Sequence, residues 1–136
     1  MSDVVLAVAT MLALAGGVQA EDLDDNTPEG QATIKAGEVG RFDRDSMTEY
    51  GTSTRFESSI VWDSASKPRP EGHLARKVRY LADCKANTLV VTAVGVFDVS
   101  GRLLKSLITP PGAGEPTAPA AGTPQARWLQ EACRNF

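Results

Sequence analysis

The chain has 136 residues, with 14 basic and 17 acidic side chains, a formal net charge of −3, two cysteines and one histidine. That length suits one domain, and the weakly acidic balance excludes a general nucleic-acid or anionic-membrane binder, whose interfaces need clustered Lys and Arg. Two cysteines and a lone histidine also leave little material for a metal centre of the Cys/His type.

From Val4 to Ala15 the chain is apolar apart from Thr10. This run matches the core of a secretory leader and falls short of the roughly twenty residues that span a bilayer. Gly16 and Gly17 end it, and Val18-Gln19-Ala20 places small residues at −3 and −1. Residues 1–20 therefore read as a signal peptide cleaved before Glu21. Met1-Ser2-Asp3 departs from the pattern in lacking a positive charge, and the alternative is an apolar helix kept in the mature protein. Asp3 leaves with the leader, which takes the net charge from −3 to −2. No cysteine follows the cleavage point to carry a lipid, and no later apolar run has spanning length, so the mature chain is expected to have no transmembrane anchor.

Residues 21–37 begin with Glu21, Asp22, Asp24 and Asp25 and continue through Asn26-Thr27-Pro28-Glu29-Gly30, with Leu23 and Ile34 almost alone as apolar residues. They are expected to form a flexible acidic arm. Regular structure should begin near Val39, with Gly40 to Asp43 as a short extended piece. Asp43-Arg44-Asp45-Ser46-Met47 suggests a helical or Asx-type turn, since Asp and Ser bond nearby backbone N–H groups.

Thr54 to Asp63 alternates, with Phe56, Ser58, Ile60 and Trp62 on one face and Arg55, Glu57, Ser59 and Asp63 on the other. Only Val61 breaks this half-buried strand pattern. Lys67-Pro68-Arg69-Pro70-Glu71-Gly72 cannot join a ladder and makes an exposed connection. A second strand runs from about Leu74 to Cys84, with Val78, Tyr80, Ala82 and Cys84 inward and Lys77, Arg79 and Asp83 outward. The basic run Arg76-Lys77 with Arg79 reads as a solvated strand face. Lys85-Ala86-Asn87 turns into Thr88 to Val99, the most β-prone segment, and Ser100-Gly101 turns into a fourth strand over Arg102 to Thr109 with Leu104 and Leu107.

Residues 110–122, rich in Pro, Gly, Ala and Thr, are expected to be an irregular, solvent-facing linker. Thr123-Pro124 is a helix start, and Leu129 and Cys133 share one face of the helix that follows. An inward strand cysteine and an inward helix cysteine in an exported chain imply a Cys84–Cys133 disulfide pinning the helix to the sheet. Closing the long loop between them is worth about 4 kcal/mol in the chain-entropy model. The fold class is therefore α+β: a four- to five-stranded antiparallel meander packed by one C-terminal helix, with one disulfide.

Phe42-Asp43-Arg44-Asp45-Ser46-Met47, Ser59-Ile60-Val61-Trp62, Tyr80-Leu81-Ala82-Asp83-Cys84 and the Gly122-to-Cys133 segment occur in the order found in the surface-adhesin protein E family. Over about residues 40–134 the chain resembles that family of small exported Gram-negative domains. The resemblance implies one such domain over 38–136, an antiparallel sheet with a C-terminal helix and a bridge between the two cysteines; the family's named member binds host proteins, and most relatives have no assigned activity. It carries no catalytic signature, and this chain lacks the lipid-anchoring cysteine of the named member.

Other candidates for chemistry are weak. His73 sits in a Pro/Gly-bounded loop and reads as solvated; paired with Cys84 or Cys133 it would make a thiol–imidazole site only if the disulfide were absent. Neither Asp43 with Asp45 nor the Asp22–Asp25 cluster supplies a complete calcium loop. Gly112-Ala113-Gly114 lacks the strand–turn–helix setting of a phosphate site, and Trp62 and Trp128 read as core. Phe136 ends the chain as barrel strands end, but four or five strands and a helix do not make a membrane barrel.

No catalytic, cofactor or metal residue is assigned. The expected function is a non-enzymatic exported envelope or secreted protein, adhesin-like, with an unidentified protein as partner. The alternative is a periplasmic small-ligand-binding domain or an accessory domain of an envelope assembly. A flat patch or free strand edge would suit the first, and a concave apolar pocket between sheet and helix the second.

Overall fold

Alternation with period two decides the centre of the molecule. In the computed structural model, which describes residues 26–65, 68–69, 74–110 and 112–134, five strands form one antiparallel sheet in sequence order. They are β1 (Glu38–Tyr50), β2 (Ser53–Trp62), β3 (Ala75–Asp83), β4 (Thr88–Phe97) and β5 (Leu103–Ile108). Thr54, Phe56, Ser58 and Ile60 of β2 are buried, as are Arg76, Val78, Tyr80 and Ala82 of β3. Cross-strand pairing sets Phe56 against Tyr80 and Ser58 against Val78. The rings of Phe42, Phe56 and Tyr80 run across three strands with centroids 5.0 and 5.2 Å apart. The leader, residues 21–25 and His73 lie outside the described residues.

The helix over residues 124–134, α2 (Pro124–Arg134), covers this face. Thr123 caps it by accepting the Ala126 N–H at 3.3 Å. Trp128, Leu129 and Ala132 are buried, and the helix packs on β1, β2 and β3. Trp128 needs Gly40 beneath it, because a Cβ there would stand 2.6 Å from the indole. The Cys84–Cys133 disulfide joins the β3–β4 turn to α2, with Cα atoms 5.5 Å apart. In that turn Asp83 Oδ1 accepts the N–H groups of Lys85 and Ala86, and Asn87 takes φ of 60°.

Five expectations need correction. The first concerns the stretch Asp43–Met47, which lies inside a long strand. The Asx geometry is present as a bulge: Asp45 N–H donates to Asp43 Oδ1, and Glu57 N–H donates to Ser46 Oγ at 2.7 Å. The register jumps between Asp43 and Thr48, so the strand continues past the turn.

The described part of the acidic arm is ordered onto the domain. Pro28–Ala32 forms a short helix, α1, capped by Thr27, whose Oγ1 accepts the Gly30 N–H at 3.0 Å. Gln31 and Ala32 are buried, and α1 packs on β4 and β3. Thr-Pro starts a helix here as it does at α2, and the composition of the segment concealed it.

Arg76 is not part of a solvated face. It shares parity with Val78 and points inward, 5% exposed. Its guanidinium grips both carboxylate oxygens of Glu38, at 2.6 and 3.1 Å, and donates to the Thr33 carbonyl at 3.1 Å. Lys77 and Arg79 do face outward, Arg79 pairing with Glu57.

The segment 110–122 is tied to the sheet. β5 ends at Ile108, which leaves the first half of β4 without a neighbour. Thr117 supplies one, exchanging both backbone hydrogen bonds with Leu89 at 2.9 Å. Trp62 is only half-buried, its ring lying over Gly37, whereas Trp128 is core as expected.

Candidate functional site

β4 carries a second irregularity that shapes the covered face. Arg79 pairs with Ala93 but Tyr80 pairs with Val91, so Thr92 is the extra residue, and its hydroxyl donates to the Arg79 carbonyl at 3.2 Å. The bulge turns both Val91 and Val94 toward the core. Because α2 crosses β1 to β3, the Leu89–Val91 part of β4 is left for smaller elements to cover.

Those elements enclose a cleft of about 540 Å³. Tyr80, Leu89 and Val91 form its floor, α1 and Ile34 one wall, the 115–120 segment another, and the first residues of α2 its end. The surface is mostly apolar, with side chains of Ala32, Ile34, Leu89, Val91, Pro119 and Ala120. The volume falls in the usual range for small-molecule sites, roughly 300–1,000 Å³.

The polar groups are few. Tyr80 is 3% exposed, stacked on Phe56 and tilted against Trp128 with ring centroids 6.0 Å apart. Burial pushes its hydroxyl up to about 12, partly opposed by a hydrogen bond with the Gln125 side chain. Tyr80 therefore stays neutral at physiological pH. Glu29, on α1, and Glu115, on the opposite wall, add two carboxylates, and no Lys, Arg or His lines the cleft among the described residues.

Among the described residues, no helix lies over the other face of the sheet. Lys77 lies above the Phe97 ring at 5.7 Å, and Glu57 and Arg79 form an exposed pair. Toward the β5 edge, Leu103 and Ile108 are 53% and 69% exposed. This edge and the cleft match the two contrasting surfaces anticipated for the two functional readings.

Of the residues singled out in the sequence, Cys84 and Cys133 meet as a disulfide, and the described residues hold no free cysteine. In the bulge the Asp43 carboxylate accepts the Asp45 backbone N–H, and no group of three or more His, Cys, Asp or Glu side chains converges among the described residues. Gly114 packs on Val90 at the β4 edge. Glu29, Ile34, Glu115 and Pro119 went unnoticed because they sit in segments whose composition reads as arm and linker. Ile34, one of the few apolar residues in an acidic stretch, was the available signal.

No helix among the described residues is long and apolar enough to cross a membrane. Compared with protein-family models, curated proteins and solved structures, the chain matches none of them.

Proposed function

We propose that this protein is an exported, non-enzymatic binding domain that holds a small, largely apolar ligand in the cleft between the sheet, α1, the 115–120 segment and α2. The carrying observation is the cleft itself, an apolar concavity over Tyr80, Leu89 and Val91 with few polar groups. A disulfide that engages both cysteines supports the exported setting and removes the thiol nucleophile. Its place would be the periplasm or the medium, as an accessory of the cell envelope.

A second reading, the adhesin-like protein binder implied by the family resemblance, is favoured by a different observation. Leu103 and Ile108 stand exposed on the last strand of an open sheet, and such an edge can add a strand from a partner protein.

Native mass spectrometry of protein recovered from its own host tests the first reading. The expected species starts at Glu21, is two hydrogens light and carries a small ligand, and the ligand is lost in Ala120→Trp, which fills the cleft from an exposed position. Ligand-free protein that also fails to take up apolar probes in solution defeats the cleft reading. Retention of a host protein, lost on Ile108→Lys, would transfer support to the strand edge. Uncleaved, reduced protein in the cytoplasm would defeat both.

A further inference from the structure

The cleft has an apolar body and an uneven charge. Glu29 and Glu115 come from different elements, α1 and the segment after β5, yet line the same concavity. Neither is matched by a basic side chain there: Lys, Arg and His are absent from its lining among the described residues. Arg76, which reaches the lining residue Thr33, has its guanidinium engaged with Glu38 and the Thr33 carbonyl. An anionic amphiphile such as a fatty acid would bring its charge to two carboxylates without a counter-ion. A cationic one would meet the half-buried Glu29, where opposite charges attract more strongly than in bulk water, and the exposed Glu115 at the rim.

The polar groups at the floor fit the same pattern. Tyr80 is a neutral phenol whose ionisation burial makes harder still, and Gln125 already satisfies part of its hydrogen-bonding capacity, so Tyr80 brings no charge to the floor. An apolar tail can therefore lie against Leu89, Val91 and Ile34 while the head stays with the carboxylates. We infer that the ligand class is a small cationic amphiphile, an apolar chain or ring system ending in an ammonium group. This inference rests on the cleft being a binding site, as proposed above.

Isothermal titration of the disulfide-bonded protein with decylammonium, decanol and decanoate, each below its micelle concentration, separates the two claims. Decylammonium is expected to bind at least about tenfold more tightly than decanoate at neutral pH and low salt, with decanol between them. The Glu29→Gln/Glu115→Gln double variant should bring the three probes to within about threefold of one another. Ala120→Trp should abolish binding of all three while leaving the thermal midpoint near that of the parent. Equal affinity for the three probes in the parent would overturn the charge inference and leave the cleft as a binding site. Tighter binding of decanoate would overturn it as well. Failure of all three to bind would overturn both the inference and the reading on which it rests.

Discussion

The two segments that cover the sheet are attached by opposite means. On one side α2 is held covalently, through Cys133 to Cys84, on a bed of Trp128, Leu129 and Ala132. On the other, α1 and residues 33–37 are held without a covalent bond: Gln31 and Ala32 are buried, and Arg76, itself paired with Glu38 of β1, donates to the Thr33 carbonyl. The first attachment stabilises by limiting the unfolded chain and depends on redox conditions. The second depends on desolvated charges that are costly once unpaired, and the Arg76 Nε has no partner among the described residues. Both segments wall the same cleft, so each attachment controls it from a different end.

The largest effect is expected from breaking the ion pair on one side only. Arg76→Ala takes the guanidinium from the buried Glu38 carboxylate, which keeps the Lys35 N–H, and should cost about 3–5 kcal/mol in urea unfolding. Replacing both, as Arg76→Met with Glu38→Leu, should recover most of that loss, because the desolvation penalty disappears with the charges. If the double variant is as unstable as the single one, the pair is more than an electrostatic clamp.

Next comes the staple. Cys84→Ser with Cys133→Ser should lower unfolding stability by about 2–4 kcal/mol, and reductant should do the same to the parent but not to the variant. The comparison sharpens if hydrogen exchange rises first in α2 after reduction and first in residues 28–37 after Arg76→Ala. Uniform acceleration in both cases would show that the two attachments are not independent.

Alkaline pH probes the floor on which both segments rest. The Tyr80 hydroxyl is raised to about 12 in the folded protein, mainly by burial. The unfolded side chain ionises near 10. The associated stability is therefore fully present below about pH 10 and fades as pH rises toward 12. Tyr80→Phe should flatten that decline, seen as the dependence of the denaturation midpoint on pH.

The smallest effect belongs to the β4–β5 turn, remote from both attachments. The Ser100 hydroxyl, then the Arg102 N–H, hold the Asp98 carboxyl down at about 2. Its contribution is present above the ordinary carboxylate range and is lost as pH falls from about 4 through 2. Asp98→Ala should remove this part of the acid slope and leave the alkaline one unchanged.

Much of this architecture can be read from local pattern. Phe56-Ser58-Ile60 and Val78-Tyr80-Ala82 alternate because each strand buries one face, and Thr123-Pro124 marks a helix start through capping and a missing N–H. The same period, applied without exception, would have placed Arg76 inside. Its charge argued otherwise, because the counter-charge on Glu38 lies 38 residues away and is invisible to a local window. The bulges at 44–47 and at Thr92 were hidden for a related reason: extra residues in a strand are tolerated only when a particular partner strand makes room for them.

The sequence by itself determined the meander, its inward face, the C-terminal helix and the disulfide, since each follows from periodicity, turn chemistry or two inward-facing thiols. Only the tertiary structure decided that an acidic, turn-rich start and a Pro/Ala-rich segment become walls of a cleft. Their order comes from what they touch: Arg76 for the one, the open edge of β4 at Leu89 for the other. Composition records the low intrinsic propensity of such segments, and long-range partners supply the free energy that overrides it.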